Sequence, residues 1–495
     1  MSEKRDAVVI GAGMGGLAAA ARLSDAGLRV LVTDTNGHVG GTAFVYFREG
    51  FTFPMGPLGI SSPDLVRECL SKLGLEPVQL TRVHYRLRAF DLDLPVSLPL
   101  QDMKKELAKS FPADAKGVER FFDQVINLKP GTGSNGKALD RSAPAKASRT
   151  PAREFIGSLV SDYRLRRVLG SIGAREPYSS LFLISVMWQL LCSQGIWYPS
   201  GGMHGLARKL SSSISRHENS EVRLGEPVQE ILVENDCVRG VKLVSGETIE
   251  SSAVVSNADF KRTFLELVEP KSLPAEFRQN VSDARQTEST LQVCLGVDAD
   301  RTDLSAFEHG TRIIYQRHPA PSSGPDWTGP EIKPDELAGQ ELEISLWSAD
   351  DPALAPAGKE VIVIRVEADY HHFSRFRTGP LQRTRGYYDY KMKLGQALVE
   401  DASSLLPGLT GAVEVMDVAT PLTFRDRGGR TEGAVAGWSW DYEDNQEHEA
   451  RELVDTPVKG LYMAGYQALS SLFAGGVPTA LQSGLVAAQR VLAVA

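Results

Sequence analysis

The sequence predicts an α/β protein in which a parallel-sheet domain, assembled from separate pieces of the chain, is joined to a second domain of helices and antiparallel sheet. Three patterns predict this organisation. A glycine-rich turn near residue 11 divides an apolar run from an alanine-rich one, residues 290–368 alternate as strands do, and a strand, glycines and a helical run follow one another near the C terminus. The 495 residues, 42% of them hydrophobic, are enough for more than one domain with a large core.

The first pattern is the turn GAGMGG at residues 11–16. Residues 7–10 are apolar and rich in β-branched side chains, as in a buried parallel strand, and residues 17–23 are strong helix formers. Between a strand and a helix, the glycines of GxGxxG permit a tight turn, a close approach of backbone to a pyrophosphate, and close packing of helix on strand. The helix N terminus then presents free N–H groups to the ligand. The predicted contacts to a dinucleotide are Gly11, Gly13, Met14, Gly15 and Gly16.

A second apolar strand follows at residues 28–34 and ends in Asp34. An acid about 20 residues beyond the glycines is where the βαβ unit of a Rossmann-like domain places a carboxylate on a ribose hydroxyl. We therefore predict that Asp34 and the adjoining Thr35 contact the ribose. The alternative is a solvated residue at the end of a strand, which the complete unit makes less favourable.

A second glycine pair occurs in GHVGGTA at residues 37–43, and REGFTFPMGP follows at residues 48–57. With these motifs the chain resembles the flavin-dependent amine oxidase and phytoene desaturase superfamily, in which the second pair lies along FAD in a domain of the glutathione reductase type. The residues that this resemblance places beside FAD are Gly40, Gly41, Thr42, Gly56 and Pro57. Thr42 and Pro54 depart from the family pattern, because many relatives carry Arg or Lys at the first position and Asp at the second.

Residues 196–265 contain the next piece of the predicted nucleotide-binding domain. Alternation over residues 228–243 predicts a small β meander with turns at Asn235-Asp236 and Ser245-Gly246, and AVVSNAD ends the piece at residues 253–259. The resemblance implies that Val228 touches the adenine end of FAD and that Asn257 also lies at the cofactor. For Val228 the alternative is a buried strand residue with no ligand contact.

The third piece begins with an apolar strand at residues 461–464 and, after AGGVP, enters a helix with Pro478 in its first turn. In the resembled family this helix points at the flavin, where its dipole stabilises the negative charge formed on reduction. Simple capping of a helix by glycines is the alternative. Tyr466 replaces an acid found in many relatives, and TPLTF at residues 420–424 also matches the family. The predicted contacts are Gly465, Tyr466, Gly475, Gly476 and Val477.

An apolar helix is predicted over residues 181–198, where Ser185, Gln189 and Ser193 recur every four residues as a single polar stripe. Such a helix is either buried core or one wall of a tunnel for a lipophilic substrate. The tunnel interpretation assigns substrate contacts to Leu183, Met187, Trp188 and Leu191.

The remaining chain predicts a substrate domain. Residues 81–195 are largely helical by pattern, with a Gly-, Ser- and Pro-rich surface loop at residues 129–153. Residues 290–396 contain four strands of an antiparallel sheet. A proline-rich segment interrupts these strands, and it is either a lid over the substrate or an inert surface excursion. We assign residues 1–80, 196–265 and 415–495 to the FAD-binding domain, and residues 81–195 and 266–414 to the substrate domain.

Composition excludes several classes of protein. A net charge of −8 without clustered Lys and Arg argues against nucleic-acid binding. The four cysteines, Cys69, Cys192, Cys237 and Cys294, are far apart, so we predict no disulfide framework and no metal site. The N-terminal apolar run belongs to the fold and no long uninterrupted apolar stretch follows. We therefore expect a cytoplasmic protein, with peripheral contact at the cytoplasmic membrane face left open.

The resemblance is strongest to the branch that contains phytoene desaturases, carotenoid isomerases and retinol saturases. It implies an FAD-dependent oxidoreductase that desaturates, isomerises or saturates carbon–carbon bonds of an apolar polyprenoid, carotenoid-like or lipid substrate by hydride transfer at flavin N5. The electron acceptor is open among oxygen, quinone or another compound. The acid or base candidates are Glu176 with Arg175 and Asp426 with Arg425, and solvated ion pairs are the alternative for both.

Two other classes of function remain open at this stage. One is an amine oxidase, which the absence of a cysteine near the C-terminal motif weakens without excluding members that bind FAD noncovalently. The other is a non-enzymatic lipid-binding relative resembling the GDP-dissociation inhibitors, which have lost flavin. The intact Gly11, Gly13, Gly16 and Asp34 argue against that loss.

Overall fold

The computed structural model describes residues 3–56, 59–128, 146–170, 180–317, 325–338, 340–439, 453–469 and 475–494. Most of the predicted surface loop and part of the proline-rich segment lie outside these ranges. No helix within them is both long and apolar enough to cross a bilayer. The longer helices are Met14–Asp25, Pro63–Lys72, Leu100–Ser110, Ala115–Asn127, Ala152–Leu159, Tyr163–Gly170, Leu181–Gln189, Gly202–Ile214, Ala275–Asp283, Tyr387–Ala402 and Gly476–Leu492.

A five-stranded sheet joins the three predicted pieces of the nucleotide-binding domain. All neighbouring strands in it are parallel and most of its residues are buried, as expected for apolar strands covered by helices on both faces. The helices Met14–Asp25 and Gly476–Leu492 pack so closely that a Cβ on Gly484 would overlap the carbonyl oxygen of Gly15. The strand order is Glu221–Leu224, Val30–Asp34, Ala7–Ile10, Val254–Ser256 and Leu461–Met463.

The predicted meander is confirmed as part of a four-stranded sheet. Asn235 and Asp236 have φ of 50° and 60°, and Gly246 has φ of 90°, so both turns lie where the sequence placed them. Asn and Asp tolerate the left-handed region better than other non-glycine residues. The strand order is Glu3–Lys4, Thr248–Glu250, Cys237–Leu243 and Val228–Glu234.

The four strands predicted for the substrate domain are also confirmed, and they belong to a sheet of seven. The sheet is antiparallel except where Arg312–Gln316 runs parallel to Tyr85–Ala89. Smaller two-stranded pairs are Val45–Arg48 with Phe51–Pro54, Leu80–Val83 with Ile196–Pro199, and Arg377–Gly379 with Gln382–Arg383. The order in the large sheet is Val413–Ala419, Ser289–Asp298, Lys359–Ala368, Leu342–Leu346, Arg312–Gln316, Tyr85–Ala89 and Leu92–Pro95.

Two expectations about this region are corrected. Residues 81–195 are not helical at their start, because Leu80–Val83 and Tyr85–Ala89 pair with distant strands that a local pattern does not reveal, and Leu92–Pro95 completes a hairpin with the second of them. The expected boundary at residue 414 falls inside Val413–Ala419, which pairs with Ser289–Asp298 and so continues the large sheet.

Alternation along the large sheet separates two hydrophobic cores. On Ser289–Asp298, Leu291, Val293 and Leu295 pack with one cluster of buried residues, whereas Cys294 packs with the other. Both faces of the strand are buried, so the alternating pattern here divides one core from another. The cluster that contains Cys294 also contains the buried residues of the parallel, nucleotide-binding sheet. The large sheet therefore forms one wall of the space between the domains.

The apolar helix expected over residues 181–198 is shorter than predicted. Leu181–Gln189 continues as a π-helical turn, Leu190–Gln194, and ends at Gly195, whose φ is 76°. Residues 196–199 are a strand because they pair with Leu80–Val83, a partner too remote in sequence for helical periodicity to register.

Ser185 and Gln189 of the predicted polar stripe are hydrogen-bonded within the protein, whereas Ser193 is exposed. Ser185 donates from Oγ to the carbonyl oxygen of Leu181 at 2.6 Å. Gln189 donates from Nε2 to the carbonyl oxygens of Val125 and Leu128 at 2.7 and 2.6 Å, and so ties the helix to the C-terminal end of Ala115–Asn127. These contacts satisfy polar groups that would otherwise be costly to bury.

Trp188 belongs to the core of the helical layer. Its side chain is fully buried, its ring packs edge-on against Phe121 and Phe122 with centroids 6.3 and 5.1 Å away, and its Nε1 donates to the carbonyl oxygen of Leu169 at 3.1 Å. Leu183 and Leu191 are likewise buried in the same cluster. The core interpretation therefore describes these three residues.

We expect Trp188→Ala to lower the free energy of unfolding by about 3–5 kcal/mol, because it leaves a cavity and removes the partner of a buried carbonyl. Phe47→Ala is the control, since Phe47 is 73% exposed, and it is expected to change stability little. Urea unfolding followed by circular dichroism measures both. Equal stability of the two variants would contradict a core role for Trp188.

Candidate cofactor and substrate site

A cavity of about 470 Å³ lies between the parallel sheet and the seven-stranded sheet. It opens at the carboxyl ends of the parallel strands, where ligands bind in α/β folds. Residues from all three pieces of the nucleotide-binding domain meet there. The sequence-predicted residues that line it are Gly11, Gly13, Met14, Gly15, Asp34, Thr35, Gly40, Gly41, Thr42, Gly56, Val228, Asn257, Gly465, Tyr466, Gly475, Gly476 and Val477.

The side chain of Asn257 occupies the space that the glycines leave. A Cβ on Gly13 would lie 2.6 Å from Asn257 Nδ2, and one on Gly15 would lie 2.6 Å from Asn257 Oδ1. The Asn257 N–H donates to the carbonyl oxygen of Ile10 at 2.7 Å, which holds the two pieces of chain together. The glycine turn therefore makes room for an internal amide as well as for a ligand, a role that the motif alone does not reveal.

Gly16 faces away from the cavity. A Cβ at this position would overlap the carbonyl oxygen of Gly11, so the helix lies directly against the strand end, as the motif predicts. Pro57 lies outside the described residues.

Two helix N termini point into the cavity without any side-chain cap. Met14–Asp25 begins after Gly13 and Gly476–Leu492 begins after Gly475, and neither has an acidic residue in its first turn. At Gly475, φ is 77° and a Cβ would overlap Ser61 Oγ, so glycine is required there. Free N–H groups and the positive end of each helix dipole favour a negatively charged ligand at both places.

Asp34 holds the glycine turn in place from the cavity wall. Its Oδ2 accepts from the Ala12 N–H and its Oδ1 from the Asn36 N–H, both at 2.7 Å. Beside it, Thr33 Oγ1 is buried and has no hydrogen-bond partner in the described structure. A hydroxyl group without a hydrogen-bond partner at this end of the cavity is suited to the ribose of a dinucleotide. The uncapped helix N termini are suited to its negatively charged groups.

Two arginines on the cavity wall were not predicted from the sequence. Arg430 donates from Nη2 to Thr42 Oγ1 at 2.8 Å, and Arg365 donates from Nη2 to the Gly56 carbonyl oxygen at 2.6 Å and from Nε to Gln292 Oε1 at 2.7 Å. Burial lowers the pKa of both guanidinium groups, which nevertheless stay charged. Arg430 thus brings a cation to Thr42, the position where the resemblance led us to note a missing Arg or Lys.

A signal for one of these arginines is present in the sequence. Arg365 is the only charge within the run VIVIRV at residues 361–366, and an arginine that interrupts a buried strand needs a specific partner. Arg430 lies among the glycines and charges of residues 425–432, where nothing in the local pattern separates it from its neighbours.

The expected pairing of Asp426 with Arg425 is wrong. Asp426 is ion-paired to Arg377 Nε at 3.0 Å and to Arg383 Nη1 at 2.7 Å, whereas Arg425 donates to the Tyr370 hydroxyl at 2.5 Å. Burial acts to raise the pKa of the Asp426 carboxyl, but hydrogen bonds from Arg383 and Arg377 bring it below its usual value. Adjacent residues on the short helix Pro421–Asp426 point to different faces, which explains the different partners. Arg175 and Glu176 lie outside the described residues.

The apolar part of the cavity includes one of the residues predicted for a tunnel. Met187 lines it, together with Leu190, which lies three residues further along on the same side of the helix, whereas Leu183, Trp188 and Leu191 do not. Phe424 and Val435 add apolar surface from the C-terminal region. The cavity therefore combines a polar end made of backbone N–H groups with an apolar wall.

The cavity lies at the carboxyl ends of parallel strands, where a dinucleotide binds in α/β folds, and comparison with known families identifies the class of protein. Residues 14–371 match the model of the flavin containing amine oxidoreductase family. The chain belongs to this family and binds FAD.

Relatives that match nearly the whole chain place it in the carotenoid desaturase and isomerase branch. The prolycopene isomerase of Daucus carota is 26% identical over 536 residues, covering 99% of this chain and 80% of the relative. The neurosporene-forming phytoene desaturase of Rhodobacter capsulatus is 26% identical over 517 residues, covering 98% and 93%. An oxidoreductase structure from Methanosarcina mazei, at 18% identity, has the same fold with a TM-score of 0.66 over 98% of this chain and 100% of that one.

We expect Asp34→Ala to weaken FAD binding by about 1–3 kcal/mol, because it removes a charged acceptor and frees the Ala12 N–H that orients the glycine turn. Titration of the apoprotein with FAD measures the affinity. Asp34→Asn is the matched control, since it keeps one oxygen acceptor without the charge, and an intermediate loss is expected. Unchanged FAD affinity in the alanine variant would contradict the role of Asp34.

The ion pairs of Asp426 predict a pH-dependent contribution to stability. The carboxyl has a lowered pKa in the folded protein, so its contribution is present above the ordinary value of 3.8 and is lost as the pH falls through the folded value. We expect Asp426→Asn to lower the unfolding free energy at neutral pH by about 3 kcal/mol and the difference from wild type to shrink on acidification. Denaturant unfolding at a series of pH values tests this, and a difference independent of pH would contradict it.

Proposed function

We propose that this chain desaturates, isomerises or saturates carbon–carbon bonds of an apolar polyprenoid. The observation that carries the proposal is the cavity itself, which is lined both by uncapped helix N termini and by the apolar Met187 and Leu190. A hydrocarbon chain offers little to hydrogen-bond, so its recognition depends on apolar surface of this kind. The names of the relatives support the same substrate class.

The cofactor-binding residues follow from the arrangement of the cavity. We assign the FAD pyrophosphate to the turn at residues 11–16 and the N terminus of Met14–Asp25, with the ribose at Asp34 and Thr35. Val228 lies toward the adenine end. The remaining contacts, Gly40, Gly41, Thr42, Gly56, Asn257, Gly465, Tyr466, Gly475, Gly476 and Val477, line the rest of the cavity.

This assignment makes the parallel sheet the core of a discontinuous FAD domain of the glutathione reductase type. The large sheet with the helices of residues 100–194 forms the substrate domain. The strand pairing supports extending the latter to residue 419, because Val413–Ala419 is hydrogen-bonded to Ser289–Asp298.

Bound FAD supplies a two-electron acceptor or donor for a hydride at a substrate carbon. The chain's own part is to hold that carbon against the apolar wall, to exclude water there, and to stabilise negative charge with the N terminus of Gly476–Leu492. Asp426 is a poor general base, since its two arginines stabilise the charged form and lower its proton affinity. Asp259, also on the wall, is held by the N–H and hydroxyl of Thr431.

The substrate class is tested by mixing the holoprotein anaerobically with phytoene, prolycopene and a panel of amines, and following the flavin absorbance and the products. We expect a polyprenoid to be converted, with the flavin spectrum changing during turnover. Bleaching by an amine without conversion of any polyprenoid would instead identify an amine oxidase.

Met187 tests the apolar wall directly. We expect Met187→Lys to remain folded and yellow but to lose most polyprenoid turnover, because an unpaired charge in the cavity draws in water. Met187→Leu preserves the apolar volume and is expected to keep activity. Flavin content, thermal melting and product formation measure the three properties. Normal turnover by the lysine variant would contradict this placement of the substrate.

A further inference from the structure

One guanidinium group on the cavity wall keeps donors for a ligand. Arg430 lies in the third piece of the nucleotide-binding domain and lines the cavity. Its Nη1 donates to the carbonyl oxygens of Ala434 and Val435 at 3.0 and 2.5 Å, and its Nη2 donates to Thr42 Oγ1 at 2.8 Å. The second Nη2 hydrogen and the Nε hydrogen have no acceptor among the described residues, so they remain available to a ligand.

Thr42 brings this guanidinium close to the glycine turn at residues 11–16. Gly40 and Gly41, the two residues before Thr42, pack on that turn. Gly40 forms a parallel bridge with Gly13, and a Cβ on Gly41 would lie 3.4 Å from Gly13 Cα. The turn itself carries no charged side chain, and Thr42 is neutral. The cation beside the turn is therefore Arg430, which is 388 positions further along the chain.

The charge of Arg430 is not neutralised by an ion pair in the described part of the chain. Burial lowers the pKa of Arg430, the charge of Asp259 acts to raise it, and the charge of Arg365 acts to lower it again. Asp259 is itself held by hydrogen bonds from Thr431 and Gln286. A half-buried cation close to a second cation is costly unless an anion offsets them.

Another buried arginine shows how the protein pairs a charge that no ligand reaches. Arg312, in the large sheet, is fully buried and does not line the cavity. Its Nη2 is ion-paired to Asp350 Oδ2 at 2.6 Å, and its guanidinium carbon lies 4.9 Å from the Trp347 ring centroid. Arg312 thus has a carboxylate partner within the protein, whereas Arg430, on the cavity wall, is held by neutral oxygens.

We propose that Arg430 binds the diphosphate of FAD and supplies, from the C-terminal piece, the full positive charge that the glycine turn lacks. The uncapped N terminus of Met14–Asp25 contributes only a partial charge. A planar guanidinium with unused N–H groups is suited to phosphate oxygens. Because Arg430 also holds the carbonyl groups of Ala434 and Val435, bound FAD fixes this loop against the turn. This assignment rests on the proposed placement of the diphosphate at the turn, and it does not depend on the substrate.

The test is titration of the full-length apoprotein with FAD, ADP and adenosine. ADP carries a diphosphate without the flavin, and adenosine carries no phosphate. We expect Arg430→Gln to weaken the binding of FAD and ADP about tenfold and to leave adenosine binding unchanged, because only the first two lose a charge-assisted hydrogen bond. Arg430→Lys keeps the charge without the planar fork, so a loss of about threefold is expected. Isothermal titration calorimetry measures all three ligands.

A second-site variant separates the charge from a structural role of the side chain. Thr42→Lys in the Arg430→Gln background returns a cation beside the turn from the first piece of the domain, and we expect it to recover most of the lost ADP affinity. Arg385→Gln is the matched control, because Arg385 is exposed and does not line the cavity, and it is expected to bind all three ligands like wild type. Thermal melting of each apoprotein shows which variants are folded.

Equal ADP affinity of wild type and Arg430→Gln, or an equal loss of ADP and adenosine binding, would overturn the proposal. Weaker FAD binding with unchanged ADP binding would also overturn it, because Arg430 would then act on the flavin end of the cofactor. If Arg430→Gln does not fold, Arg430→Lys carries the same comparison. Wild type that binds ADP no better than adenosine would refute the placement of the diphosphate and the proposal with it. Absence of polyprenoid turnover, which none of these titrations measures, would refute only the proposed substrate class.

Discussion

The packing of one amide side chain among glycines is the constraint on which the cavity depends. Asn257 comes from the second piece of the parallel-sheet domain, Gly13 and Gly15 come from the first, and Gly465 comes from the third, where a Cβ would lie 3.1 Å from Asn257 Oδ1. A larger side chain at Gly13 or Gly15 would collide with the amide. Three remote segments therefore meet at one point, and the helix Met14–Asp25, whose N terminus lines the cavity, starts from it.

The seven-stranded sheet gives this cavity its opposite wall. Because both faces of the sheet are buried, it carries one hydrophobic core on its outer side and closes the interdomain space with the other. Polar residues on the inner face are held by strand register. Gln292 lies opposite Arg365 on neighbouring strands, which directs the guanidinium to Gly56 at the cavity. Placement of a buried cation thus follows from pairing of strands far apart in sequence.

Charge is arranged differently inside the cavity and at its mouth. Inside, Arg430 and Arg365 donate to neutral oxygen atoms of Thr42 and Gly56, and the charges of Asp259 and Glu343 act to raise the pKa of Arg430 and Arg365 respectively. At the mouth, Asp426 is ion-paired with Arg377 and Arg383 and anchors a hairpin. Arginines therefore lie on the cavity wall in one place and stabilise a hairpin in the other, and only their partners distinguish the two arrangements.

The sequence by itself determined four of the five parallel strands, the glycine turns, the meander and four strands of the large sheet, because each depends on local propensity or on residues a few positions apart. It also predicted many of the residues that line the cavity, since GxGxxG, Asp34 and the C-terminal glycines lie at the ends of these strands and helices. Only the tertiary structure decided that Trp188 is core while Met187 faces the cavity, that Asp426 pairs with Arg377 and Arg383, and that Arg430 reaches Thr42. These contacts join residues between 43 and 388 positions apart or depend on which side of a helix meets a neighbour. Local periodicity carries no information about such partners, because chain topology sets them.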